Sequence, residues 1–106
     1  MTPEESEIVS LLKKGEESGL KMMFDRYYKP LSIYTFRYVN SLDEAEDIVQ
    51  DLFVRFCDEK RIDSLKGSLK AYLFNSVRNS SLNFLRQKNR LSMNSLEAME
   101  GHPVYE

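Results

Sequence analysis

The chain has one cysteine, one histidine, three prolines, four glycines and no tryptophan among its 106 residues. A single cysteine, Cys57, excludes an internal disulfide framework. So few prolines and glycines argue against an all-β chain, which needs a turn every few residues, and leave helices as the default. No apolar run is long enough for a membrane span or a signal-peptide core, so the expectation is a soluble cytoplasmic protein without membrane insertion. Parts for catalysis are missing as well. No nucleophile has a base beside it, no glycine loop can cradle a phosphate, and the carboxylates lie on amphipathic surfaces. His102 has no ligand or triad partner and Cys57 no nearby histidine, so no metal, no cofactor and no enzymatic reaction are expected.

What is present is an ordinary globular balance, 42% hydrophobic and 30% charged, enough for one domain with one modest core. The net charge of -2 conceals a segregation. Residues 1–59 carry 13 acidic and 7 basic groups, residues 60–90 carry 8 basic and 1 acidic, and residues 91–106 carry 3 acidic. The basic block suits a polyanion partner, which the pI of the whole chain conceals.

Thr2, Pro3 and Glu5 read as a capping box that starts a first helix, with Ile8, Val9, Leu11 and Leu12 on its apolar face and Gly15 after its end. From Leu20 to Tyr38 apolar residues keep a 3.6-residue period through Pro30, which predicts a kinked helix or two abutting helices around Lys29. Of its aromatics, Phe24, Tyr27, Tyr28, Tyr34, Phe36 and Tyr38, most lie on the core stripe, and packing rather than base stacking is their expected role. Ser41 and Glu44 form a second capping box. The helix that follows should bury Leu42, Ala45, Ile48, Val49, Leu52, Phe53 and Phe56, while Asp47, Gln50, Asp51 and Val54 make a ridge that the core does not require. Composition alone leaves that ridge open as a solvated face or a docking surface.

Residues 68–90 are the part on which function is expected. Leu69, Tyr72, Leu73, Val77 and Phe84 share one helical face and should be core, whereas Phe74, Leu82 and Leu85 are expected to be exposed. Asn75, Asn79 and Asn83 repeat at every fourth position along another edge, and Arg86 and Arg90 continue it. Asparagine is a poor helix former, so packing does not account for such a row. The basic side chains can neutralise phosphates, and the amides both donate and accept, as an exposed base edge requires. Residues 61–67 could form one wall of a base pocket, which favours single-stranded or melted DNA. Spacing alone leaves a merely charged surface helix equally open. Beyond Arg90 the text is polar and aperiodic, and it predicts a tail with at most one helical turn around residues 96–99.

Three stretches in order, FDRYYKPLSIYTFRYV, DEAEDIVQDLFVRF and SLKAYLFNSVRNSSLNFLR, resemble region 2 of the sigma-70 family, in particular the small extracytoplasmic-function sigma factors. The wording is closest to versions found in Bacteroidetes. The resemblance implies an all-α bundle of about four helices over residues 1–90. It implies that Asp47, Gln50 and Asp51 make polar contacts to the beta-prime clamp helices of core RNA polymerase, with Phe53 and Val54 adding apolar area. It also implies that Asn79 and Asn83 lie near a flipped base on the non-template strand of the promoter minus-ten element. Ser64, Leu65 and Lys66 would complete that pocket, while Lys70, Arg78 and Arg86 hold the DNA backbone. A membrane-anchored anti-sigma factor is a reasonable further partner. Tyr72 and Phe56 stand where the family usually has tryptophan. A second, helix-turn-helix domain would follow residues 91–106, which are expected to be the start of a linker in a fragment. The rival readings are a helical protein-interaction module without specific DNA binding and a conventional reader of duplex DNA.

Overall fold

The structure, a computed structural model, describes residues 2–100, with side chains described as far as Arg90. It is all-α, as expected: α1 (Pro3–Lys13), α2 (Glu17–Val39), α3 (Leu42–Asp58), a 3-10 turn (Arg61–Ser64) and α4 (Leu69–Glu100). α2 is the central element and packs on each of the other three helices. Phe56, Ile8, Met23, Leu31, Leu69, Leu73, Val49 and Val77 are the largest apolar side chains fully buried between them.

Thr2 caps α1 by accepting from the Glu5 amide at 3.1 Å, and Pro3 occupies the first turn. The reciprocal half of the capping box does not form, because the Glu5 carboxylate turns inward and is only 4% exposed. Gly15, at φ +74°, turns the chain into α2. Four residues on, Gly19 lets the two helices touch: a Cβ there would lie 2.8 Å from the Leu12 amide nitrogen and 2.9 Å from Leu11 Cβ. Both neighbours belong to the α1 turn, so Gly19→Ala should push α1 away. The expected cost is about 1–3 kcal/mol of stability, read from urea denaturation.

Pro30 does not divide α2, which runs unbroken from Glu17 to Val39. Met23 and Tyr27 before the proline and Leu31 and Val39 after it are buried in the same core, and this shared packing offsets the one lost backbone bond. Asn40, left-handed at φ 57°, ends α2 with its amide on the Phe36 carbonyl. Ser41 then caps α3 through the Glu44 amide at 3.3 Å. Within α3 the buried set is Ala45, Val49, Leu52, Phe53 and Phe56. Leu42, expected in the core, is 56% exposed at the first position of the helix, one turn before Ala45 makes contact.

Ser68 caps α4 by accepting from the Ala71 amide at 3.2 Å. The buried line of α4 is Leu69, Leu73, Val77 and Ser81, a strict four-residue spacing, whereas Tyr72 and Phe84 are only half-buried. The Ser81 hydroxyl satisfies itself by donating to the Val77 carbonyl at 2.6 Å. Phe74 is not exposed as expected; it packs edge-on against Tyr34 of α2, with ring centroids 5.1 Å apart.

The expected end of regular structure at Arg90 is also corrected, since α4 continues to Glu100. Residues 91–100 hold leucine, methionine, alanine and glutamate beside two serines and one asparagine, with neither glycine nor proline, and an established helix extends through such a mixture at modest cost. Residues 101–106, His102 included, lie outside the described residues.

Candidate functional site

On α3 the side chains of Asp47, Gln50, Asp51 and Val54 share an exposed face, with Val54 57% accessible. Phe53 lies beneath this face at 8% exposure, packed on Phe24 and Tyr28 of α2 at centroid distances of 5.9 and 6.3 Å. It supports the ridge from below. Gln50 is fixed by donating its Nε2 to the Tyr28 hydroxyl at 3.1 Å, and Phe24 stacks on Tyr28 at 4.5 Å. Leu20 and Phe24 are 40% and 47% exposed, so the acidic ridge continues onto α2 as an apolar strip of Leu20, Phe24 and Tyr28. These three residues recur at every fourth position, one residue out of step with the buried Met23, Tyr27 and Leu31. Both lines are apolar, so nothing in the sequence tells them apart, and the packing of α3 on α2 decides which one is buried.

Asp51 also pairs with Arg55 one turn on, at 2.9 Å, and Arg55 reaches round to the other side of α3. There a recess of about 190 Å³ opens between α3, the 3-10 turn and α4. Leu52 and Phe56 form its apolar floor, Arg55 and Arg61 one wall, and Tyr72, Ser76, Asn79 and Ser80 the other. Arg61 is held across the opening, its Nε donating to Glu59 at 2.6 Å and its Nη1 to the Tyr72 hydroxyl at 3.1 Å. Glu59 first, and Tyr72 after it, keep this guanidinium firmly cationic. The Tyr72 ring in turn leans on Phe56 at 5.7 Å.

Of the expected base contacts, Asn79 lines this recess. Asn83 does not line it; its carbonyl oxygen accepts from the Arg86 guanidinium on the exposed side of α4. Ser64, Leu65 and Lys66 also lie outside the lining. Ser64 donates to the Arg61 carbonyl at 3.2 Å, Leu65 packs on the core, and Lys66 is exposed before Gly67, which turns the chain at φ +82°. The same connection reaches the recess through Arg61 at its other end. The stretch 61–67 is thus present in the wall, as expected, but through Arg61, whose approach to Tyr72 follows the left-handed Lys60 at φ 50°.

Lys70, Arg78 and Arg86 are all exposed on α4. Arg78 lies beside the Tyr38 hydroxyl. The hydrogen bond between the Tyr34 and Tyr38 hydroxyls, 3.3 Å apart, and after it Arg78, hold the Tyr38 hydroxyl below its ordinary pKa. On the other side of Phe56 a second cavity of about 320 Å³ lies between α1, the start of α2, the end of α3 and the 3-10 turn, with Cys57 in its lining. Burial, and then Asp58, push the Cys57 thiol pKa up, so the sulfur is kept from the reactive thiolate form.

Among the described residues no group of three or more His, Cys, Asp or Glu side chains could hold a metal ion, and no helix is long and apolar enough to cross a membrane. What the arrangement offers is two surfaces: an acidic and apolar one on α3 and α2, and a basic, amide-bearing one on α4 with a recess at its edge.

A family model, sigma-70 region 2, matches residues 23–91, well over half of the chain. The matched span holds the basic surface and all of the acidic and apolar one except Leu20, and it leaves α1 outside. Comparison with curated proteins gives no match, and neither does comparison with solved structures. The chain therefore belongs to the sigma-70 region 2 family, a non-catalytic part of a transcription initiation factor involved in RNA polymerase binding and promoter melting.

Proposed function

We propose that the chain is region 2 of an extracytoplasmic-function sigma factor of Bacteroidetes type, acting in the cytoplasm. The α3 ridge of Asp47, Gln50, Asp51 and Val54, with Phe53 beneath it and Phe24 and Tyr28 beside it, docks on the beta-prime clamp helices of core RNA polymerase. α4 takes the non-template single strand of the minus-ten element. Lys70, Arg78 and Arg86 neutralise its phosphates, and Asn79 reads one unstacked base at the mouth of the recess. Asn83 and the loop residues Ser64, Leu65 and Lys66 lie along the path of the neighbouring nucleotides. A membrane-anchored anti-sigma factor is a further partner on this reading.

The observation that carries it is the recess itself. Asn79 offers a donor and an acceptor beside the cationic Arg61 and the ring of Tyr72, over the apolar floor of Leu52 and Phe56. That set provides for the polar edge, the face and the phosphate of an extruded nucleotide. Fluorescence anisotropy with a single-stranded minus-ten oligonucleotide tests it. Binding should exceed that of a blunt duplex and weaken as salt rises, and Asn79→Ala should lower it about tenfold, the scale of one lost base contact. Equal binding to every DNA, untouched by Asn79→Ala, would sink the reading and leave a nonspecific basic surface.

A further inference from the structure

Glu5 is the one charged side chain buried among the described residues. It belongs to α1, outside the span that the family model matches. Its Oε2 accepts from the Ser68 hydroxyl at 2.9 Å and from the Lys70 backbone amide at 3.2 Å. Ser68 in turn accepts from the Ala71 amide at 3.2 Å. The first amides of a helix have no partner within it, and its N-terminus carries partial positive charge, so a buried carboxylate there is favoured twice over. One side chain from a helix more than sixty residues earlier thus completes the start of α4. α1 is itself held on α2 by the Glu4–Arg26 ion pair and by the close approach at Gly19.

We propose that Glu5 is a positioning residue for DNA binding, a role that rests on α4 being the DNA-reading helix. By anchoring Ser68 and the Lys70 amide, Glu5 sets where α4 begins. That start fixes Tyr72 within reach of Arg61, and two turns further on it fixes Asn79 in the wall of the recess. The polymerase-facing ridge lies on α3, which Glu5 does not touch, so the two activities respond differently to its loss. A general loss of stability would move them together.

The test compares Glu5→Ala and Glu5→Gln with the parent protein at a temperature where all are folded. Three readouts are taken: affinity for the single-stranded minus-ten oligonucleotide, affinity for core RNA polymerase, and amide exchange at Lys70 and Ala71. Glu5→Ala should lose about fivefold in DNA affinity, the scale of one helix cap, with polymerase affinity unchanged and exchange at the two amides raised. Glu5→Gln keeps an acceptor and should recover most of the DNA affinity. Gly19→Ala, which displaces α1 without altering Glu5, should likewise lower DNA affinity and raise exchange at the two amides, and these two readouts serve if Glu5→Ala does not fold. Unchanged DNA affinity in folded Glu5→Ala, or parallel loss of both affinities, overturns the proposal. Failure of the parent protein to bind DNA removes the reading of α4 and this role with it; where the parent binds DNA, unchanged amide exchange in Glu5→Ala removes the role of Glu5 alone.

Discussion

Phe56→Ala is expected to remove about 3–5 kcal/mol of stability, the range for truncating a buried phenylalanine. The side chain is 1% exposed and is among the largest fully buried in the molecule. It also separates two spaces. The cavity between α1, α2 and the end of α3 and the recess beside Asn79 both include Phe56 in their linings. Its loss therefore opens one space to the other. Tyr72 loses its ring contact at the same time, and with it the support for the Tyr72–Arg61 hydrogen bond. Against a total of about 5–15 kcal/mol for a domain of this size, the variant should be near its unfolding midpoint in low urea. Urea denaturation followed by circular dichroism reads the effect. Phe56→Leu, which refills most of the volume, should cost about 1–2 kcal/mol. A loss below that in Phe56→Ala would mean that Phe56 does not separate the two cavities.

Replacing Gln50 and Asp51 together by alanine should weaken binding to core RNA polymerase by about tenfold, or ~1.4 kcal/mol. Both side chains lie on the exposed face of α3 and neither contributes to the core, so the helix and its stability should survive. The expected loss has two parts. Gln50 is held ready by the Tyr28 hydroxyl, and its removal frees that tyrosine and loosens the Phe24 stack next to it. Asp51 carries charge to the interface and also restrains Arg55, which already lines the recess and loses this tether without it. Titration of labelled protein with core polymerase measures the change, and thermal unfolding of the same variant checks that the fold is intact. An unchanged polymerase affinity removes the docking role of the ridge. The double variant should bind the single-stranded oligonucleotide at least as well as the parent, because its net charge is one unit less negative.

Much of this protein is determined locally and was legible in the sequence. Helix starts at Thr2, Ser41 and Ser68 follow from side chains that reach amides three residues on. The core line of Leu69, Leu73 and Val77 and the outward ridge of Asp47, Gln50, Asp51 and Val54 follow from the helical period. The segregation of acidic and basic groups along the chain is likewise a property of the text alone.

Other features required the neighbours. Period alone could not say that Leu20, Phe24 and Tyr28 edge onto the surface while the line one residue earlier is buried, because both lines are apolar and only the position of α3 separates them. It could not say that α2 stays whole across Pro30, since the core packing on both sides of the proline is tertiary. It placed Glu5 in a capping box of its own helix, where the fold turns that carboxylate to the start of α4. It set Asn75, Asn79 and Asn83 side by side as equals, and only the crossing of α3, the 3-10 turn and α4 singles out Asn79 to face a recess. Residue type and period decide what a helix can offer. Which of those side chains meets another depends on groups distant in the chain, and no local rule contains that distance.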